Sequence, residues 1–387
     1  MEKLAIEGGE PVRKERIHLV MPFFGEEEVK AASDVIRSTM VSGGGKIGRK
    51  FEENLAKYLG VKHAFFVTSC TAALHLSLMI TDINSGNILT PSYNFASAGI
   101  IPTLVNAKPL LADVKYNTCN IDPDEIRKVI TRYTKAIIPI HYAGQPCEMD
   151  EINKIAKEND VFVIEDAAQA IGSEYKGKKA GNLSDIGCFS FHGTKNIVCG
   201  EGGALVTNND KFAEKALITR LIGQDKKSSP TGGFYHVVSK GHSFAQSEIL
   251  AAIALEQLKK LEKINKMRAE NSIYLTKKLS KIDGIVVPYV KNNVKMNWHI
   301  YAIRIPETIN SVWFRDALKA EGIGADVHYI PLNMSPFFQS LGYKKGDFPI
   351  SEKIYRTLIR LPMYPSLTKE DLDDITSAVE KVMNAKK

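Results

Sequence analysis

The stretch FSFHGTKNIVCGEGG, Phe189–Gly203, decides the reading of this chain. It opens inside an apolar run, IGCFSF, that reads as a short buried strand. His192, Thr194 and Lys195 follow at once, and then a glycine cluster that holds Glu201. A lysine at the mouth of a buried strand loses hydration, which lowers its pKa and frees its amine for nucleophilic work.

Strands and helices alternate on the N-terminal side of this stretch. HAFFVTS reads as a strand, and CTAALHLSLMI as a helix that opens directly after Ser69. NILTP, KPLLADV, KAIIPIHY and VFVIED read as further strands. NFASAGIIPTLV, PDEIRKVI and EMDEINKIAKEN read as the helices between them. This alternation predicts a mostly parallel sheet with crossover helices. AIIPI and VFVIE are apolar throughout, as expected where both sheet faces are covered.

After GGALVTN comes a helix, then a polar, glycine-bearing loop, residues 223–236, that reads equally well as a substrate lid or as surface. A long helical stretch over 245–282 carries no proline and places Ile249, Ile253, Leu258 and Leu261 at helical spacing. GIVVPYV, HIYAIRI and ADVHYI read as strands, and SVWFRDALKAEG and KEDLDDITSAVEKVM as helices. The expected organisation is a large domain over 1–264 with an N-terminal arm, and a small α+β domain over 265–387.

Composition narrows the function classes. The 387 residues are 44% hydrophobic and 25% charged, with net charge +7. That is enough for a large core, and the charge excess suits an acidic or phosphorylated substrate. No Lys/Arg run interleaved with aromatics occurs, so nucleic acid is not an expected partner. The five cysteines are odd in number and form no CxxC, which fits a reducing compartment better than a disulfide framework. The N-terminus has no signal-type apolar stretch, and no segment approaches the roughly 20 apolar residues of a membrane span. The expectation is a cytoplasmic protein with no membrane partner.

Ligands of open parallel sheets bind beyond the carboxyl ends of the strands. There this sequence collects Ser69, Thr71, Tyr93, Phe95, His141, Asp166, Gln169, Ser190, His192 and Lys195. Each has a plain structural reading: Thr71 as a helix cap, Phe95 and His141 as core, Asp166 as a cap, Lys195 as surface. Together they suit pyridoxal phosphate. Lys195 can form a Schiff base with its aldehyde, and Asp166 can pair with its ring nitrogen. Ser69 and Thr71 at a helix start, with Ser190, suit its phosphate. Phe95 offers a flat face to its ring.

At this point the chain resembles the DegT/DnrJ/EryC1/StrS aminotransferases. The matching blocks run in order: GGGKIGRKFEENLAKYLGVKHA, SCTAALHLSL, PSYNFASAG, PIHYAGQPCEMD, IEDAAQAIGSEYKGKKAG, CFSFHGTKNIVCGEGGALVT and AAIALEQLKKLEKIN, with VHYIPL and RLPMYPSLTKEDLD near the C-terminus. The resemblance implies a fold-type I pyridoxal phosphate architecture (aspartate aminotransferase-like) and a homodimer with active sites at the subunit interface. It implies that Lys195 is the Schiff-base lysine and proton shuttle, and that Asp166 pairs with the pyridinium nitrogen. Gln169 and Phe95 would lie against the ring. Thr71, Ala72 and Ser190 would hold the phosphate. His192, His328 and Tyr329 would line the substrate pocket.

One position departs from the family pattern. Many members carry Asn ahead of the long helix, reaching the partner's cofactor phosphate, where GHSFAQSE has Ser243. Lys195 argues against the subset of the family that carries His there and dehydrates its substrates. The activity so implied moves an amino group from L-glutamate to a nucleotide-linked 4-keto-6-deoxyhexose, for amino-sugar, polysaccharide or secondary-metabolite biosynthesis. LAIEGGEPVR instead resembles openings among cyclitol-aminating members, which makes a keto-cyclitol the alternative acceptor. A pyridoxal phosphate-binding regulator would be expected to lose the lysine or gain a DNA-binding module. An NAD or NTP enzyme lacks support, since neither GxGxxG at a strand-to-helix turn nor a Walker A sequence occurs.

Overall fold

A computed structural model of the chain describes residues 3–225 and 235–385. Residues 226–234, the middle of the loop read above as lid or surface, lie outside the described residues.

Seven strands form the central sheet: β1 His63–Val67, β2 Asn87–Pro91, β3 Lys108–Ala112, β4 Thr134–Ile137, β5 Phe162–Asp166, β6 Ile186–Ser190 and β7 Gly203–Thr207. Their spatial order is β1-β7-β6-β5-β4-β2-β3. Pairs from β6 through β3 are parallel, and β7 runs antiparallel to both its neighbours. The two apolar clusters on either side of the sheet explain the uninterrupted hydrophobicity of β5 and β6. Phe51, Ile137, Val163 and Phe189 belong to one cluster, and Leu74, Ile138, Ile164 and Cys188 to the other.

β7 begins with the last glycine of GEGG, Gly203, for a steric reason. A Cβ on Gly203 would stand 2.2 Å from the carbonyl carbon of Ser69 and 2.4 Å from the nitrogen of Cys70. The antiparallel strand therefore passes directly behind the start of the Cys70–Ile80 helix. Only a residue without a side chain allows that approach.

The long helix runs from Glu248 to Leu279, shorter at both ends than the expected 245–282. Ser247 caps its N-terminus, its Oγ accepting from Leu250 N–H, and this starts the helix three residues late. Its C-terminal turns, Leu275 and Leu279, join a third core built by Tyr301–Arg304, Leu358–Leu361 and the helices Ser311–Ala320 and Lys369–Asn384. Leu4 and Ile17 of the N-terminal segment pack into that same core.

Several expected elements are shorter or differ. NFASAGIIPTLV becomes a short helix, Ser97–Ile100, followed by a 3-10 turn over Ile101–Val105, because Pro102 removes an amide donor. KAIIPIHY is a strand only over Thr134–Ile137, with Pro139 just beyond its end. ADVHYI is not a strand: Asp326 makes a single bridge to Arg360, and the His328–Tyr329 peptide is cis. GIVVPYV likewise keeps one bridge, Val286 to Arg304. All five cysteines are free and buried. No helix among the described residues is long and apolar enough to cross a membrane.

Candidate active site

Beyond the carboxyl ends of β1, β5 and β6 lies a cavity of about 450 Å³, within the size range typical of small-molecule sites. Of the residues singled out from the sequence, it brings together Ser69, Thr71, Phe95, Asp166, Gln169, Ser190, His192, Lys195, His328 and Tyr329.

The helix start forms one wall. Ser69 Oγ accepts from Ala72 N–H at 3.0 Å and closes the first turn. Ala72 thus spends its amide on the cap, and the remaining first-turn amides have no carbonyl behind them to bond. Thr71 Oγ1 lies 2.7 Å from Ser97 Oγ, which places a pair of hydroxyls beside those amides. Hydroxyls and a helix N-terminus favour an anion.

Asp166 ends β5. Its Oδ1 accepts from Ala168 N–H at 3.0 Å and has the Cys70 thiol at 3.8 Å. Burial pushes the carboxyl up, while the Ala168 amide and the Lys195 charge hold it down. Asp166 therefore caps no following helix; it folds back on its own turn and keeps a carboxylate at the cavity wall.

Lys195 sits in the loop between β6 and β7. That loop closes on itself: Lys195 N–H donates to His192 O, Phe191 N–H to Gly202 O, and Cys199 N–H to Phe191 O. Asn196, the next residue, is buried and donates to Asn265 Oδ1 at 2.8 Å and to Asn297 O at 2.9 Å. These bonds tie the lysine's backbone to the long helix and the C-terminal region. Burial lowers the Lys195 pKa, Asp166 opposes the shift, and Arg360 adds to it. The amine is thereby closer to neutral than an ordinary lysine, as nucleophilic chemistry requires.

Gln169 is fixed from two sides. Its Oε1 accepts from Ala143 N–H at 2.8 Å, and its amide donates to the Tyr329 hydroxyl at 3.2 Å. Phe95 is 59% exposed, with its ring centroid 5.9 Å from that of Tyr329. It is not core, so a flat face is free to take a ring from the cavity. Ser190 is buried, and its Oγ accepts from His192 N–H. His192 Nδ1 lies 2.9 Å from Thr194 Oγ1, and its Nε2 3.6 Å from Glu201.

Three residues behave otherwise. His141 is a core histidine, 2.9 Å from Glu165 and bonded to Cys147 N–H. Tyr93 is buried with its hydroxyl unpartnered. Ser243 is exposed in the bridge to Leu221 and lies outside the lining of this cavity.

Sequence reasoning passed over Cys70, Ser97, Thr194 and Glu201 as site residues, although they lie within stretches already quoted. It also passed over Arg360, which stands behind the C-terminal wall. Arg360 Nη1 donates to His328 Nε2 at 2.7 Å. Burial and the Arg360 charge push the His328 pKa down to about 3, so this imidazole is neutral at working pH. A second cavity of about 540 Å³ borders His75 and His242, but its Asp82 and Lys215 already neutralise each other.

The donor set fits pyridoxal phosphate. It offers an amine for an aldehyde, a buried carboxylate for a ring cation, a hydroxyl-rich helix start for a phosphate, and an exposed aromatic face for a ring. The comparisons agree. An uncharacterized protein of Methanocaldococcus jannaschii, MJ1066, is 43% identical over 94% of this chain and 96% of its own length. The spore coat polysaccharide biosynthesis protein SpsC of Bacillus subtilis is 36% identical over 94% of this chain and 96% of its own length. The solved PLP-form of the putative sugar aminotransferase Spr1654 from Streptococcus pneumoniae superposes with TM-score 0.89 at 25% identity, over 96% of this chain and 99% of that one. The architecture is that of the pyridoxal phosphate-dependent aminotransferases. A model of the DegT/DnrJ/EryC1/StrS aminotransferase family matches residues 22–380, and the chain belongs to that pyridoxal phosphate-dependent family.

Proposed function

We propose that this aminotransferase moves an amino group from L-glutamate to a keto sugar, specifically a nucleotide-linked 4-keto-6-deoxyhexose, in an amino-sugar pathway. The observation that carries the reading is the convergence of Lys195, Asp166 and the Ser69–Thr71 helix start on one cavity. The names of SpsC, a polysaccharide biosynthesis protein, and Spr1654, a putative sugar aminotransferase, support a sugar acceptor.

When bound, pyridoxal phosphate supplies an aldehyde that takes up the amino group and a cationic ring that draws electrons from the reacting carbon. The residues divide the remaining work. Thr71, Ser190 and the first-turn amides, with Ala72 completing that turn, hold the phosphate. Asp166 keeps the ring nitrogen protonated. Phe95 and Gln169 flank the ring. Lys195 Nζ takes a proton from the donor carbon and returns one to a neighbouring atom, a task its lowered pKa suits. His192, His328 and Tyr329 face the substrates, and the mild positive charge of the chain favours a diphosphate-bearing one.

The same reading makes the enzyme a cytoplasmic homodimer, with Ser243 reaching the phosphate in the partner subunit. Its exposure outside this chain's own cavity leaves it free to do so. The reading also keeps the division at residues 264 and 265, inside the helix that links the cores.

The experiment is amine transfer from L-glutamate by the pyridoxal phosphate-loaded protein to nucleotide-linked 4-keto sugars and to keto-cyclitols, read by mass spectrometry of the products. Amination of the nucleotide sugar supports the reading. Amination of the cyclitol alone would replace its acceptor, and transfer to neither would overturn it.

A further inference from the structure

The two carboxylate oxygens of Asp166 meet different surroundings. Oδ1 faces the wall, where Ala168 N–H donates to it at 3.0 Å and the Cys70 thiol at 3.8 Å, an ordinary reach for a sulfur donor. Oδ2 has no hydrogen-bond partner among the described residues and opens on the cavity. One oxygen is thus held by the protein, and the other is left for a ligand.

The thiol is committed to this contact. Asp166 is its one hydrogen-bond partner among the described residues. Cys70 opens the Cys70–Ile80 helix, at the point where Gly203 passes behind. A Cβ on Gly203 would stand 2.4 Å from the Cys70 nitrogen, so a bulkier strand would displace the thiol together with the helix start. Cys188, fully buried, lies beside Asp166 in the β5–β6 register and closes the other side. Burial and the Asp166 charge both hold the Cys70 thiol well above its ordinary pKa, so its proton stays in place and it remains a donor.

The other ionisable groups that face Asp166 do not fix its rotation. Lys195 comes from the loop after β6 and His141 from the segment after β4. Tyr329 comes from the C-terminal wall. The His141 ring is engaged with Glu165 and with Cys147 N–H, and the Tyr329 hydroxyl accepts from Gln169. Only the Ala168 amide and the Cys70 thiol touch the carboxylate, and they touch the same oxygen.

We propose that Cys70 is a positioning residue, whose thiol joins the Ala168 amide in holding Asp166 Oδ1 on the wall so that Oδ2 alone is offered to the ring nitrogen of the cofactor. This deepens, and rests on, the reading of Asp166 as the partner of that nitrogen. A donor to the ionised carboxylate also favours the charged form, which burial opposes.

The test measures the affinity of the cofactor-free protein for pyridoxal phosphate against pH, by absorbance titration, in wild type, Cys70→Ala, Cys70→Ser and Asp166→Asn. Cys70→Ala removes the donor, and its Kd near neutral pH should rise roughly 3–10-fold. Losing a donor raises the Asp166 carboxyl further. The pH at which affinity falls on acidification should therefore move up, by about 0.5–1 unit. Cys70→Ser keeps a hydroxyl donor and should lie closer to wild type on both counts. Asp166→Asn should bind weakly and lack this acid limb. Wild-type affinity and acid limb in Cys70→Ala would overturn the proposal. So would equal losses in Cys70→Ala and Cys70→Ser with an unmoved acid limb, which marks a packing role. If Asp166→Asn binds the cofactor as wild type does, the reading of Asp166 fails instead.

The contact itself is then still tested without cofactor. Cys70 is the one cysteine among the residues lining this cavity. Its alkylation by iodoacetamide is followed against pH by mass spectrometry of its peptide. Asp166→Asn, which lacks the charge that suppresses the thiolate, should react at lower pH than wild type. Identical profiles would contradict the contact.

Discussion

The cavity has two walls of different origin. One is the sheet edge: Ser69 and Thr71 after β1, Asp166 ending β5, Ser190 ending β6, and Lys195 just beyond. The other is the C-terminal wall of His328 and Tyr329, with Arg360 behind it. In the first, regular structure sets each position, because a strand end and a helix start fix where the next side chain points. In the second, irregular backbone sets the positions: a single bridge at Asp326, the His328 carbonyl held by the Tyr142 hydroxyl that donates to it, and the Tyr329 hydroxyl held by the Gln169 amide. On the proposed reading the sheet edge carries the cofactor's chemistry, and the irregular wall faces the substrates.

That contrast predicts graded effects. Lys195→Ala should lower the transamination rate by about 10³-fold or more, measured in the steady state, because no second amine among the residues lining the cavity replaces its proton transfers. Asp166→Asn should cost roughly 10²–10³-fold, since a neutral amide cannot hold a positive charge on the ring nitrogen. A C-terminal-wall substitution such as Tyr329→Phe should instead act mainly on KM, and an Asp166-sized loss of kcat there would erase the distinction between the walls.

Gly203→Ala sharpens the comparison from the side of stability. Its Cβ would meet Ser69 and Cys70 backbone, so we expect about 1–3 kcal/mol of destabilisation by denaturant unfolding, with weaker cofactor binding. Wild-type stability would mean that β7 does not set the helix start. Ser69→Ala should cost only about 1 kcal/mol as a lost cap.

The pH profile couples the two walls. The Lys195 amine gains its neutral form as pH rises, half-converted below the roughly 10.4 of a free lysine. Removing the Arg360 charge, which lowers that pKa, should move the inflection up. Removing the Asp166 charge, which raises it, should move the inflection down. A profile insensitive to both would show that neither charge reaches the amine.

The sheet edge was legible because its signals are local. An apolar run followed at once by Ser, Asp or Lys marks a strand's exit, and Ser69 before CTAALHL marks a cap. Thr71, Asp166, Ser190 and Lys195 were found that way before any resemblance was invoked. Ala72 was placed near the phosphate by resemblance alone, and its amide proves to be part of the Ser69 cap. The C-terminal wall was not legible in this way. ADVHYI alternates like a strand, yet tertiary packing leaves it one bridge. Arg360 lies in Leu358–Leu361, whose pattern shows a buried strand but not that its Nε and Nη2 stay without hydrogen bonds among the described residues.

The most direct measurement is borohydride reduction of the pyridoxal phosphate-loaded protein, followed by proteolysis and mass spectrometry. Reduction fixes the cofactor to the amine it occupies. The account predicts a single modified peptide carrying Lys195. Modification of another lysine, with Lys195 untouched, would contradict it.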